Sequence, residues 1–422
     1  VARTLYGDAC PHAPDLGFGV IANGSVASYP ENEIDSVEAN YRFHMPAAGY
    51  VLLHADVVVT ASDPGAKATF ALIDKDNSEL IVYTDLASEG IMFANLYPGD
   101  YCLWVGPDPD TSYPDNMTAN FAVDLTSPLL LSARAKGLHT GNVAGIDFES
   151  GDILSWSKLA NGEERWQMFF DASDVGINTN VTNVAAAGGS SDSILLTVPG
   201  QTLPGVGLVG PMDIIVFDPN PGGLGENTSG AFRWGLQGSS HDLTAASEKL
   251  DAIDGWVFGD VSDSGGFGPC YGYPVSTVGN AKVTSWQNQR LVQRDGSVFC
   301  KVYDDQNGGW RPWAEWVTES YFGARSEEYP DFDIVAVAWN DIRRDRIYAV
   351  SAPAGAFRDL VTWVNEDGNG WEYDWVITPV SETDIWSFTP NYGLDIETHA
   401  VEWHGPNHGW NYAIDAIEWN GP

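Results

Sequence analysis

Apolar and polar residues alternate along most of this chain in short runs. Residues 41–60, YRFHMPAAGYVLLHADVVVT, contain two such runs around an Ala-Gly turn. A period of two is typical of strands with one buried face, and Gly, Pro, Asn and Asp separate the runs. Apart from a weak segment at 242–253, no convincing pattern with the 3.6-residue period of a helix extends beyond about ten residues. The pattern predicts an all-β protein.

Residues 20–127 are predicted to form one β unit. Residues 67–85 favour a hairpin that turns at 74–78, and residues 90–125 supply three more strands. The hairpin ALID-DNSEL, the strand L-PGDYCLWV and the closing strand ANFAVDL resemble the bacterial pre-peptidase C-terminal domain, a jelly-roll-like β-sandwich. The resemblance spans roughly residues 18–125. It implies an exported, non-catalytic module that contacts carbohydrate or a surface.

Residues 128–422 contain two copies of a repeat, predicted at 128–275 and 276–422. The matches keep one spacing: Trp166 and Trp313 are 147 residues apart, Asp213 and Asp359 are 146 apart, and Trp256 and Trp403 are 147 apart. Chance matches would not hold one offset, so the spacing indicates a tandem repeat.

Each copy divides again into two units of roughly four strands, which favours either propeller blades or paired sandwich sheets. Segments DIL-W, FFDASDVGI and LPGVG-DII-F of the first copy resemble a secreted bacterial β-repeat family of unknown function, which implies shape and export only. The predicted fold is therefore all-β, with an N-terminal jelly-roll-like β-sandwich followed by tandem four-stranded β repeats, propeller-like or sandwich. Residues 1–19 precede the sandwich and are a candidate donor strand for a neighbouring subunit.

The chain is strongly acidic. It has 58 Asp and Glu residues against 20 Lys and Arg, a net charge of −38. Such a surface repels phosphate backbones and anionic lipid, so nucleic acid is excluded as a partner class. A solvated acidic surface, a high-salt environment and a coat of divalent cations each account for the charge.

Several features favour an extracellular protein. No run of 18 apolar residues occurs, so no membrane span is predicted. The first residue is Val1, which suggests a trimmed precursor. The cysteines favour two local disulfides, Cys10–Cys102 and Cys270–Cys300, among three alternative pairings. Four sequons are candidate glycosylation sites: Asn23, Asn116, Asn180 and Asn227.

The segment RWQMFFDASDVGI places an acidic turn directly after an aromatic strand. Asp171 and Asp174 with nearby carbonyls are a candidate Ca²⁺ site, the one cofactor that the sequence suggests. The competing interpretation is a structural turn, in which Asp and Ser cap backbone amides and Gly176 takes a positive φ. The repeat equivalents 235–243 and 317–323 do not keep both aspartates, which favours the turn.

The sequence contains no convincing catalytic signature. DSGG at 263–266 resembles the nucleophile region of chymotrypsin-like proteases around Ser264, but no other part of the chain matches them. Imidazoles and carboxylates crowd residues 397–408 without the HExxH spacing of a zinc protease. A glycosidase carboxylate pair cannot be singled out among the acidic residues. We therefore predict a protein that is not an enzyme.

Aromatic residues are abundant, with 17 tryptophans. On strands, most Trp side chains pack sheet cores, but exposed rings stack on sugars or bury subunit interfaces. Candidate ligand or interface aromatics are Trp310, Trp313, Trp371 and Trp410.

Three functions follow in order. The first is a secreted structural or adhesive protein, a subunit of an extracellular filament or surface layer with copies of itself as partners. The second is a carbohydrate-binding protein that uses exposed Trp. The third is a glycoside hydrolase with an unidentified carboxylate pair.

Overall fold

The computed structural model describes most of the N-terminal half and the strands of the C-terminal half. The described residues are 12–28, 38–46, 49–75, 79–107, 117–133, 140–187, 191–241, 243, 250–253, 272–277, 281–284, 290–293, 298–304, 309–310, 314–317, 333–339, 347–352, 358–364, 372–381, 383–390 and 396–418. Their regular structure is strand, with short 3₁₀ turns and no α-helix among them, which confirms the all-β prediction.

Two antiparallel four-stranded sheets form an N-terminal β-sandwich. The first sheet has the order β1-β8-β3-β6 and the second β2-β7-β4-β5. The strands are β1 (Ala22–Ser28), β2 (Ala39–Met45), β3 (Gly49–Thr60), β4 (Ala68–Asp74), β5 (Glu79–Leu86), β6 (Gly90–Leu96), β7 (Gly99–Pro107) and β8 (Met117–Thr126). Alternate residues of β3 (Val51, Leu53, Ala55 and Val57) are buried in the core between the sheets, as the period of two predicts.

The segment before β1 folds back on its own chain. The Arg42 amide donates to the carbonyl of Pro14 at 2.9 Å, and the Leu16 amide donates to the carbonyl of Arg42 at 2.7 Å. Leu16 is 3% exposed and belongs to the sandwich core. This segment therefore covers the edge of β2, and edges are where strands of other chains add. Residues 1–11 lie outside the described part of the chain, so the donor-strand role of residues 1–19 stays a prediction.

The remaining strands form four larger antiparallel sheets, here called blades 1 to 4 in the order of their second strands. Their orders are β33-β9-β12-β13, β14-β15-β18-β19, β20-β21-β24-β26 and β27-β28-β31-β32. Blade 1 contains β9 (Leu129–Ala133), β12 (Ile153–Lys158), β13 (Glu164–Phe170) and β33 (Ile414–Glu418). Blade 2 contains β14 (Asn183–Ala186), β15 (Ile194–Thr197), β18 (Ile214–Pro219) and β19 (Gly230–Leu236).

Blades 3 and 4 follow the same plan. Blade 3 contains β20 (Leu250–Ile253), β21 (Gly272–Thr277), β24 (Val298–Asp304) and β26 (Ala314–Val317), with β25 (Gly309–Trp310) also paired to β24. Blade 4 contains β27 (Asp333–Trp339), β28 (Ile347–Ala352), β31 (Asp384–Pro390) and β32 (Ile396–His404).

The innermost strands of the four blades close a ring. Strand β33 contacts β14 and β27, and β20 contacts the same two strands. The last described strand, β33, completes blade 1 by pairing with β9, so that Ile417 lies opposite Leu131. Four sheets arranged in this way form a β-propeller, which decides between the two predicted arrangements of the repeats.

Every blade carries an extra hairpin between its second and third strands. The hairpins are β10 (Thr140–Val143) with β11 (Ile146–Glu149), β16 (Gln201–Leu203) with β17 (Gly207–Val209), β22 (Ala281–Thr284) with β23 (Arg290–Gln293), and β29 (Arg358–Val364) with β30 (Glu372–Val380). Because neighbouring strands of a blade are antiparallel, the connections between second and third strands all leave at one end of the propeller. The hairpins therefore gather at that end, here called the hairpin end.

The structure corrects two of the repeat matches. Residues 213–217 begin the third strand of blade 2, and their counterpart in blade 4 is 384–388, since 359–363 belong to the extra hairpin β29–β30. The inner strand at 250–253 corresponds to β33, since 397–403 belong to the outer strand β32. The longer fourth hairpin shifts the register. The predicted boundary at residue 275 falls inside β21.

A carboxylate clamp holds the hairpin end of blade 1. Asp152 stands immediately before the third strand. Its Oδ2 accepts the amide of Glu149 at 2.7 Å, and its Oδ1 accepts the amide of Ala172 at 2.9 Å. The clamp thus joins the base of the hairpin to the turn that follows the outer strand, and it satisfies two backbone donors near the core.

The clamp recurs in other blades. Asp213 accepts the amide of Gly210 at 2.7 Å and that of Gly238 at 2.8 Å, again joining the hairpin to the turn after the outer strand. In blade 4, Asp384 accepts the amide of Ser381 at 3.1 Å. In each case an Asp-Ile pair begins the third strand, so this dipeptide is the sequence signal of the clamp.

Asp152 makes the stability of the protein depend on pH. Burial raises its pKa to about 6, although the amides of Glu149 and Ala172 oppose the shift. A raised carboxyl pKa contributes stability that is complete below the unfolded value and is lost as pH rises through about 6. We therefore expect the stability of the wild type, relative to Asp152→Asn, to increase as pH falls from 7.5 to 5. Urea unfolding across this range measures the difference, and a pH-independent difference would contradict the assignment.

The sandwich and the propeller share one buried core. Tyr50 and Leu52 of β3 and Phe93 of β6 pack together with Leu130 and Phe169 of blade 1. The rings of Phe93 and Phe169 are 5.2 Å apart in an edge-on arrangement. The hydroxyl oxygen of Tyr50 lies 2.5 Å from the carbonyl oxygen of Pro128 and 2.9 Å from that of Glu418. The two units are therefore joined through packed side chains as well as through the chain.

Candidate functional site

The outer face of β3 runs from this shared core to solvent. Tyr50 and Leu52 are buried against the propeller, His54 is 4% exposed, and Asp56 is exposed. Since alternate residues of a strand share a face, these four side chains form one row. His54 and Asp56 thus lie at the rim of the interface, where burial gives way to water.

A chain of four charged or polar groups crosses this rim. His54 Nε2 lies 3.1 Å from Oε1 of Glu89, and its Nδ1 lies 3.5 Å from Oδ2 of Asp124. Nη1 of Arg165, on the outer strand of blade 1, lies 2.6 Å from the same Oδ2 of Asp124. Asp124 is opposite His54 in the strand pairing and is 1% exposed. The propeller therefore supplies the cation for a carboxylate buried in the sandwich.

The charges of this network support one another. Burial raises the pKa of Asp124, but hydrogen bonds from His54 and Arg165 outweigh it and leave the pKa below its usual value. Burial lowers the pKa of His54, but its contacts with Asp124 and Glu89 outweigh burial and the repulsion of Arg165, so the net shift is upward. A proton on His54 is thus stabilised between two carboxylates.

His54, Asp56 and Glu89 also bring potential metal ligands together. One nitrogen of His54 and one carboxylate oxygen from each acid all lie within 4.8 Å of one another. Within the described residues, no other group of three His, Cys, Asp or Glu side chains meets this criterion. The sequence analysis did not select these residues. The available signal was His-Ala-Asp at 54–56, where a strand places both polar side chains on one face.

The acidic turn is built as the structural interpretation predicts. Oδ1 of Asp171 accepts the amide of Ser173 at 3.0 Å and its hydroxyl at 2.8 Å. Residues Ser173–Val175 form a 3₁₀ turn that ends at Gly176 with φ of 83°. Asp174 lies in the first turn of this helix. Calcium binding by Asp171 and Asp174 stays a prediction.

The predicted covalent sites lie partly within the described residues. Cys102 is fully buried in β7. Both proposed pairings stay predictions, because Cys10 and Cys270 lie outside the described residues and the side chain of Cys300 is not described. Among the sequons, Asn23 and Asn227 are exposed, Asn180 is half-buried, and Asn116 lies outside the described residues.

Trp410 is a core residue. It is 0% exposed and stacks between Phe148 and Trp166, with ring centroids 5.6 Å away on each side. It therefore packs blade 1 and cannot present a face to a sugar or another subunit, which corrects the prediction for this residue. Trp313 and Trp371 lie outside the described residues, as does the side chain of Trp310.

The histidines near the C-terminus do not gather at one place. His404 Nδ1 lies 2.6 Å from Oδ1 of Asp384, in the clamp of blade 4. His408 Nδ1 lies 3.0 Å from Oε1 of Glu164, at the rim of blade 1. Each imidazole therefore has its own carboxylate partner, and each pair fastens a turn to a strand.

No protein-family model and no curated protein matches this chain. Solved structures give matches over 27% of it. The pre-peptidase C-terminal domain of collagenase from Bacillus anthracis is similar at 16% identity, with 94% of that chain covered and a TM-score of 0.20.

Two periplasmic inhibitors of g-type lysozyme, both called PliG, are also similar, each at 14% identity over 27% of this chain. The Aeromonas hydrophila protein is covered to 96% with a TM-score of 0.18, and the Salmonella Typhimurium protein to 98% with a TM-score of 0.17. At this level the likenesses carry no conclusion about function. Among the described residues, no helix is long and apolar enough to cross a membrane.

Proposed function

We propose that this protein is an extracellular, non-enzymatic structural or adhesive protein that assembles with copies of itself into a filament or surface layer. The observation that carries the proposal is the continuous core shared by the sandwich and the propeller. A subunit that transmits force needs its parts joined by buried packing, and here aromatic side chains from both units interlock.

The charge of the chain sets a condition on such an assembly. With a net charge of −38, two copies repel each other at low ionic strength. Salt shortens the range of this repulsion to about 8 Å at physiological strength, and bound divalent cations neutralise it. Assembly is therefore expected to require salt or divalent cations.

Sedimentation velocity and negative-stain electron microscopy test the proposal. We expect purified protein to be monomeric in low salt with chelator, and to form ordered, concentration-dependent assemblies at 0.15–1 M salt or with millimolar Ca²⁺. Particles that stay monodisperse at every concentration and salt would rule out the assembly function. Assemblies without regular spacing would indicate aggregation and would also contradict it.

Carbohydrate binding is the second candidate, because four hairpins gather at one end of the propeller and place loops from every blade side by side. Loops clustered on a fixed scaffold are common binding surfaces. Leu208, 75% exposed in the second hairpin, marks this surface. Glycan binding by the monomer that is lost when the β16–β17 hairpin is replaced by a two-residue turn would favour this function over assembly.

A further inference from the structure

We propose that His54, Asp56 and Glu89 bind one divalent transition-metal ion of the zinc type at the rim between sandwich and propeller. This site is independent of the assembly proposed above, since it lies within one chain. Its argument rests on the position of three ligand atoms, on the support behind the imidazole and on the chemistry of the donors.

The ligand atoms have a suitable spacing. Ligand atoms about 2.0–2.1 Å from a tetrahedral zinc ion are roughly 3.3 Å from one another. The distance of 3.1 Å between His54 Nε2 and Glu89 Oε1 is close to this value, and the Asp56 carboxylate completes the group within 4.8 Å. Asp56 and Glu89 are exposed, so rotation of their side chains can close the remaining gap. The fourth position faces water.

A second shell of residues orients the imidazole. His54 is almost fully buried, and the carboxylate of Asp124 lies behind Nδ1, held in turn by Arg165. A carboxylate in this position fixes the tautomer with the proton on Nδ1, which leaves the lone pair of Nε2 directed at the metal. This support distinguishes the site from a chance cluster of acids on an acidic surface.

The donor set selects the class of ion. Calcium takes six to eight oxygen ligands, whereas this group offers one imidazole nitrogen and two carboxylates. Imidazole with carboxylates suits zinc and its neighbours in the first transition row. A proton and the metal compete for His54, because Asp124 and Glu89 also stabilise the protonated ring against Asp56, Arg165 and burial. Binding is therefore expected to weaken as pH falls from 8 to 5.5.

Cobalt serves as the spectroscopic probe. After chelator treatment, the full chain in 0.5 M NaCl is expected to bind one Co²⁺ with visible d–d absorption. Equimolar Zn²⁺ should displace the ion, and millimolar Ca²⁺ or Mg²⁺ should not. We expect Glu89→Gln and Asp56→Asn to weaken Zn²⁺ binding at least tenfold, measured by competition calorimetry. Both side chains are exposed, so both variants should fold.

Asp174→Asn is the matched control, since it removes one exposed carboxylate on another unit, and it should bind Zn²⁺ like the wild type. Equal affinity in all four proteins, or many weak ions without saturation, would show that only the acidic surface attracts the metal and would overturn the proposal. Displacement by millimolar Ca²⁺ would overturn the assignment of the ion.

Discussion

A chain that stops at residue 413 is expected to lose the folded propeller. Strand β33 supplies the inner strand of blade 1, and its Ile414 and Ile417 are 0% and 1% exposed. Removing two buried isoleucines costs about 4–10 kcal/mol at 2–5 kcal/mol each, before the ladder to β9 is counted. Few domains of this size have more stability than that to lose. Near-UV circular dichroism should lose the tryptophan signal, and thermal unfolding should lose its cooperative transition.

A chain that ends at residue 418 is the control, because it keeps β33 and removes only the residues beyond it. It should unfold like the full chain. Addition of a peptide spanning 412–422 to the 413 chain should restore part of the near-UV signal, since the vacant edge of β9 is a template for that strand. A 413 chain with an unchanged unfolding curve would contradict closure of the ring by β33.

Arg165→Met is expected to lower the free energy of unfolding by about 3–5 kcal/mol, because it leaves the buried charge of Asp124 without its closest cation. The side chain of Asp124 is 2% exposed, and Arg165 contacts it from the other unit at 2.6 Å. Methionine keeps much of the volume, so the loss reports the charge more than the packing. Urea unfolding at pH 7 measures the effect.

The repeat supplies the matched control. Arg233 stands before a Trp on the outer strand of blade 2, as Arg165 does in blade 1, but its partner Asp218 is 40% exposed. Arg233→Met should therefore cost only about 0–1 kcal/mol. Adding Asp124→Asn to Arg165→Met should recover part of the stability, since no buried charge then remains. Equal losses for the two arginines would show that the buried network contributes nothing special.

The alternating pattern predicted the strands, the sandwich and the tandem units, because burial of one strand face leaves a local signal. The matches between repeats went wrong where the fourth hairpin is longer, since an insertion shifts every later residue without altering the strands themselves. The buried pair of Asp124 and Arg165 could not be predicted. It joins residues 41 positions apart in different units, and nothing near either residue marks the other as its partner.

The pairing of β33 with β9 also sets the order in which the molecule can be made. Synthesis proceeds from the N-terminus, and the sandwich is complete once residue 126 has emerged. Blade 1 must then wait, with the inner edge of β9 open, until nearly three hundred further residues have followed. During that interval a long apolar strand edge is exposed to other nascent chains, so a chaperone that shields β9 would raise the yield of folded protein.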